Sequence, residues 1–258
     1  MTLTFPGAPL ASEPPATPNY SIEGPRHRLL LHPFPRRVRA RFAGEVVLDS
    51  TRGALLHESN ILPRLYVPLE DVRADLLERT DHTTHCPFKG DASYWSVRVG
   101  DRVAENAVWT YEDPIAEAAW LRGLASVYPE PMDTWLDEDE EVTRLRDPYH
   151  RVDARRSSRR IEVRAGGALI ARSERPVVVA ETGLPLRFYL PREDVLADLR
   201  RSATTASCPY KGESSYWSLE DVEDVAWSYA DPLESMLKAR DHVCFDESKV
   251  EVLEPAGD

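Results

Sequence analysis

"CPFKGDASYWS" occupies residues 86–96, and "CPYKGESSYWS" occupies residues 208–218. Eight of the eleven positions are identical, and the other three are Phe/Tyr, Asp/Glu and Ala/Ser exchanges. The likeness extends well beyond this stretch. "RRVRARFAGEVVLDS" (36–50) parallels "RRIEVRAGGALIARS" (159–173), and "PRLYVPLEDVRADL" (63–76) parallels "LRFYLPREDVLADL" (186–199). "WTYEDPI" (109–115) parallels "WSYADPL" (227–233). The offset is 123 at Tyr66/Tyr189, 122 at Cys86/Cys208 and 118 at Asp113/Asp231, so the second copy is shorter. The largest deletion falls between Trp217 and Trp227. A period this long exceeds the roughly 20–50 residues of a solenoid repeat and marks duplication of a whole domain.

A length of 258 residues suits two modest domains, each with its own core. The expected division is a Pro-rich N-terminal extension over 1–35, a first domain over 36–130, an acidic and basic linker over 131–158, and a second domain over 159–254. The extension holds eight of the 21 prolines, which favours an extended arm. The two copies are expected to pack with approximate two-fold symmetry, as a fused dimer in a monomeric chain.

Within the first copy, "RVRARF" alternates apolar and charged residues at Val38, Ala40 and Phe42, which predicts a half-buried strand. The turn-like "AG" at 43–44 leads into a returning strand, "EVVLDS". "GALLHES" and "RLYVP" read as further strands, "SYWSVRV-GD-RVAENAVWTY" as a hairpin and "LASVY" as a closing strand. "LEDVRADLL" and "PIAEAAWLRG" read as short helices, the first opened by Pro68 with Glu70 and Asp71 in its first turn. The expected fold class is mainly β, a β-rich α+β domain present twice.

Composition narrows the function. A net charge of −12 argues against a nucleic-acid partner, whose phosphates call for basic clusters. No apolar run is long enough to span a membrane. Three cysteines without a CxxC pair, and a start lacking a signal-peptide pattern, point to a cytoplasmic chain with reduced thiols. Of the 32 basic residues all but Lys89, Lys211, Lys238 and Lys249 are arginine. Two of those four lysines stand at the same place in both copies, where a compact ammonium differs from a planar guanidinium.

Rare residue types concentrate at matched positions: Cys86/Cys208, Lys89/Lys211, Trp95/Trp217 and Trp109/Trp227. Matched tyrosines are Tyr66/Tyr189, Tyr94/Tyr216 and Tyr111/Tyr229, and Glu58/Glu181 and Arg64/Arg187 add charge. An aromatic pocket holding an ammonium, a carboxylate and a guanidinium suits a small polar ligand. Lys89 reads as the ion-pair partner of Glu58, and Lys211 of Glu181, a pair that orders a loop and can line a pocket. Cys86 beside Lys89 has the makings of a nucleophile. His85 before Cys86 becomes Ser207 before Cys208, however, and free cysteines are commonly buried hydrophobes. Strand alternation sends Tyr94 and Trp95 to opposite faces, one to a core and the other to a groove.

"DHTTHC", with Asp81, His82, His85 and Cys86, has no histidine counterpart in "ATTASC". Adjacent His85 and Cys86 converge poorly for a metal, and no metal or cofactor is expected. The run "DEDEE" (137–141) reads as solvated linker, and Cys244 as packing in an apolar strand.

"CPFKGDASYWSV" with downstream "VWTYEDP" and upstream "YVPLEDV" resembles the DUF427 family, twice over from about residue 36. The resemblance implies a compact, mostly β domain of unknown function, sometimes labelled nucleotidyltransferase-like. Such enzymes use a Gly-Ser turn followed by spaced acids on a strand to hold magnesium, and this chain has no Gly-Ser dipeptide. The leading expectation is a small-molecule-binding module. The alternatives are an enzyme using Cys86 or Lys89, and a structural or partner-binding protein in which the motif only stabilises a turn.

Overall fold

The computed structural model describes residues 3–255 other than 14, 18 and 22. It divides into two compact units, Met1–Tyr149 and His150–Asp258. Both are mainly β, as the alternating patterns predict.

Unit 1 contains β1 (Leu29–Phe34), β2 (Val38–Phe42), β3 (Glu45–Ser50), β4 (Gly53–Glu58), β5 (Ile61–Pro68) and β6 (Leu77–Cys86). It continues with β7 (Gly90–Val99), β8 (Arg102–Thr110), β9 (Leu124–Val127), β10 (Thr134–Asp137) and β11 (Glu140–Val142). Among the described residues these form an antiparallel seven-stranded sheet ordered β1-β4-β5-β9-β8-β7-β6 and a four-stranded sheet ordered β11-β10-β2-β3. The turn between β2 and β3 uses Ala43 and Gly44, both at positive φ (49° and 84°), the backbone that a tight two-residue hairpin requires.

Unit 2 contains β12 (Val152–Arg156), β13 (Ile161–Ala165), β14 (Ala168–Ser173), β15 (Val177–Glu181) and β16 (Arg187–Leu190). β17 (Arg200–Cys208), β18 (Gly212–Ser218), β19 (Ala226–Ser228), β20 (Val243–Phe245) and β21 (Glu251–Leu253) complete it. Its large sheet, β12-β15-β16-β20-β19-β18-β17, repeats the order of the first, and its small sheet is β14-β13-β21. Each of β1–β10 thus has its counterpart in β12–β21.

Each large sheet is covered on both faces. On one side of unit 1, Leu55, Val67, Val97, Val108 and Ala125 meet Val38, Ala40, Leu48 and Trp135 of the small sheet. On the other side Leu56, Tyr66, Ala92, Tyr94 and Trp109 pack with Ala118 and Leu121. Unit 2 repeats both layers, with Ile161, Val163 and Phe245 in the first and Tyr189, Met236 and Cys244 in the second.

Three expectations change. The two predicted helices are 3-10 turns, at Leu69–Asp71, Ala74–Leu76 and Ala116–Leu121. Val72 bridges Leu48, and Arg73 N donates to Val47 O (2.8 Å), so β3 takes the Arg73 N–H that a continuous helix would use. The stretch expected as a linker, 131–158, carries β10, β11 and the start of unit 2. Trp135 lies opposite Ala40, buried in the first core. The "DEDEE" run is the β10–β11 hairpin, its acids facing arginines: Arg36 pairs Asp137 (2.8 Å), and Arg37 N donates to Glu138 Oε1 (2.9 Å). Lastly, the expected extension ends in an edge strand, since "LLLHPF" is β1 and pairs with β4. Pro33 is tolerated there because an edge strand leaves some N–H groups unpaired.

Candidate functional site

Why "CPFKG" occurs twice is visible in the β6–β7 connection. Lys89 N donates to Cys86 O (3.2 Å), closing a turn whose second residue is Pro87, the position for which proline is pre-set. Gly90 follows at φ 104°, and an added Cβ would meet Asp113 O and Ile115 N at 3.4 Å each. Ile115 N in turn donates to Lys89 O (3.1 Å). The motif and the downstream "EDPI" are therefore two halves of one dock. Unit 2 repeats it, with Lys211 N donating to Cys208 O (3.3 Å) and Leu233 N to Lys211 O (3.1 Å). Gly212 stands at φ 102°, where an added Cβ would meet Asp231 O at 3.2 Å. Gly212→Ala forces both a disfavoured backbone and a backbone contact. It is expected to cost roughly 1–3 kcal/mol, read as a lower urea midpoint.

The turn aims its lysine at the end of β4. Lys89 Nζ hydrogen-bonds Glu58 Oε2 with both side chains buried, and Lys211 Nζ bonds Glu181 Oε2 at 2.6 Å. The expected ion pair is present in each unit. A third member was not foreseen: His27 Nε2 lies 2.8 Å from Glu58 Oε1, and His150 Nε2 lies 3.0 Å from Glu181 Oε1. Each imidazole also packs on the aromatic residue before the lysine, His27 on Phe88 at 3.6 Å between centroids and His150 on Tyr210 at 4.2 Å. Strand register explains the placement, because Glu58 pairs with Leu29 and Glu181 with Val152, two residues beyond each histidine. The signal was in the sequence. "PRHRL" (25–29) and "PYHRV" (148–152) share Pro-x-His-Arg at the same offset of 123, just outside the boundaries assigned to the repeat.

Burial pushes the Glu181 carboxyl up, but the hydrogen bonds from His150 and Lys211, with their charges, outweigh it and hold the carboxyl below its usual range. A carboxyl depressed on folding stabilises the fold in full above its unfolded pKa, about 4.3. That contribution is lost as pH falls through the lower folded value. Wild type should thus exceed Glu181→Gln in stability at neutral pH, with the gap closing in acid, as denaturant midpoints across the carboxylate range will show.

The floor beside this cluster is aromatic. Trp109 Nε1 donates to Tyr66 OH (3.2 Å), and Trp227 Nε1 donates to Tyr189 OH (3.0 Å). Burial pushes the Tyr66, Tyr111, Tyr189 and Tyr229 phenols above their ordinary range, so these hydroxyls stay neutral. Tyr94 pairs across the sheet with Trp109, and Tyr216 with Trp227. Cys86 packs at the edge of the same layer, and Cys208 is likewise half-buried. Arg64 lies over Tyr128 (5.8 Å to the ring), while Arg187 lies near Trp227 (6.0 Å) and pairs Glu247 (2.9 Å).

Two matched residues are not part of this layer. Trp95 packs against the first core of unit 1, under Arg79, and Trp217 against that of unit 2, under Arg192. Alternation does send Tyr94 and Trp95 to opposite faces, but Tyr94 is the one on the Lys–Glu side. The histidines of "DHTTHC" diverge: His85 Nδ1 meets Asp91 Oδ1 (2.7 Å), and His82 stacks edge-on to Tyr94 (4.5 Å). Among the described residues no group of three or more His, Cys, Asp or Glu side chains is placed to hold a metal ion. Nor is any helix among them long and apolar enough to cross a membrane.

A family model described as a domain of unknown function, DUF427, matches residues 30–138 and again residues 153–255. Comparison with curated proteins gave no match.

Proposed function

The chain belongs to the DUF427 family, through two copies of its domain, and we propose that it is a small-molecule-binding module whose ligand meets the Lys–Glu–His cluster and the aromatic layer beside it. The observation that carries this reading is the state of the lysine. An ammonium has three donors, and among the described residues one from Lys89 is used, by Glu58, and one from Lys211, by Glu181. Holding a carboxylate and an ammonium away from water adds little net stability compared with apolar packing. Its presence in both units fits a site where charge is kept for recognition. Each carboxylate oxygen accepts one bond from its own chain, and the lysine, with donors left over from these bonds, offers hydrogen bonds onward. The ligand's complement is an acceptor oxygen. The three cysteines are all free thiols, which fits the cytoplasm as the working compartment.

Intrinsic tryptophan fluorescence tests this, because Trp109 and Trp227 lie in the proposed site. A panel of small carboxylates, phosphates and amides should yield a saturable response that the double variant Lys89→Met/Lys211→Met lacks while keeping the wild-type circular dichroism. A purely structural cluster predicts no saturable response from wild type, and the lower stability of the double variant, expected on either view from the stranded carboxylates, would be its only effect.

A further inference from the structure

The two copies of the site are not equally open. Lys89, Gly90, Tyr94 and Trp109 are buried, whereas Lys211, Gly212, Tyr216 and Trp227 are half-buried. Side-chain exposure rises from 9% at Lys89 to 17% at Lys211. The histidine runs the other way, with His150 more enclosed than His27. In unit 2 the imidazole is almost fully buried while the ammonium and the rings keep partial exposure.

The covers of unit 1 can be named. Tyr128 lies on Trp109 with ring centroids 4.3 Å apart. Its counterpart is Asp246: Tyr128 N donates to Ala107 O and Asp246 N to Val225 O, both at 2.8 Å. The Asp246 carboxylate is turned to Ser248, at 2.9 Å from its N and 2.7 Å from its Oγ. His82 covers Tyr94, and at the matching place Thr204 bonds Asp224 (2.7 Å) instead. The sequence differences at 128/246 and 82/204 thus expose Trp227 and Tyr216, whose rings stand 6.4 Å apart.

We infer that unit 2 carries the binding site in use, and that its ligand is a small molecule with an anionic oxygen on a flat apolar ring. This rests on the proposed binding role and narrows it. Lys211 supplies charge-assisted donors to a carboxylate or phosphate oxygen. Trp227 and Tyr216 supply the surface on which a ring lies. Arg187 Nη1 lies 2.9 Å from Glu247 Oε1 without hydrogen-bond geometry, so Arg187, near Trp227, stands as a second cation beside Lys211. Unit 1, with Tyr128 on Trp109 and His82 on Tyr94, keeps the matching rings under cover.

Ligand-observed NMR titration of the full chain with benzoate and with phenyl phosphate tests this, since the probes place the same ring on a carboxylate or a phosphate. Lys211→Met should weaken the better probe by roughly tenfold or more, the loss of a charge-assisted bond, and by clearly more than Lys89→Met does. Tyr128→Asp, which gives unit 1 the residue of unit 2, should add a second binding event that Lys89→Met removes. This variant serves even where Lys211→Met folds poorly. Equal losses from the two lysine variants, or a larger loss from Lys89→Met, overturn the assignment to unit 2 and leave the binding role standing. No binding of either probe to wild type overturns the ligand class assigned here, and the broader panel then decides the binding role itself.

Discussion

Glu58→Ala should be among the most damaging single substitutions in the first unit. It leaves the Lys89 ammonium buried without the carboxylate it bonds and removes the acceptor of His27. Breaking a buried pair from one side costs roughly 3–5 kcal/mol, because the surviving charge is stranded away from water. The loss should appear as a lower urea midpoint and as faster hydrogen exchange in β4 and at the β6–β7 turn. Glu58→Met combined with Lys89→Met should cost much less, since neither charge then remains. If the double variant is as unstable as Glu58→Ala, stranded charge is not the cause.

Trp135→Ala should cost about as much, roughly 3–5 kcal/mol, the usual loss for truncating a buried tryptophan. Trp135 sits opposite Ala40 in the small sheet and is buried in the first core. A residue in a solvated linker would change stability little, so this substitution separates the two views of residues 131–158. Its counterpart by strand pairing is Val252, opposite Val163, which is only partly buried. Val252→Ala should therefore cost far less than Trp135→Ala. Urea denaturation of the two variants, followed by circular dichroism, makes the comparison.

Most strands were legible because alternation between faces is written directly into residues such as Val38, Ala40 and Phe42. The 3-10 turns were not. "LEDVRADLL" has helical composition, but its Arg73 N–H is claimed by Val47 of β3 and Val72 bridges Leu48, tertiary contacts that local propensity does not contain. Trp135 was hidden by its neighbours, since an acidic run looks solvated until the facing arginines are known. In the site, the Lys–Glu pair followed from matched positions in the two copies. His27 and His150 are legible by the same matching in "PRHRL" and "PYHRV", which lie outside the expected bounds of the two domains. The segregation of Trp95 from Tyr94 followed from strand period, but which of them faced the lysine depended on how the two layers close over the sheet. The unequal covering of the two sites depends on Tyr128 and His82, residues that differ between the copies and so carried no repeat signal.

The most direct test of the binding role is a crystal structure grown with the strongest ligand from the fluorescence panel. The account predicts an anionic oxygen of that ligand within about 3 Å of Lys211 Nζ, with its apolar part against Trp227 and Tyr216. A ligand seated elsewhere, with Lys211 bonded to Glu181 alone, would contradict it.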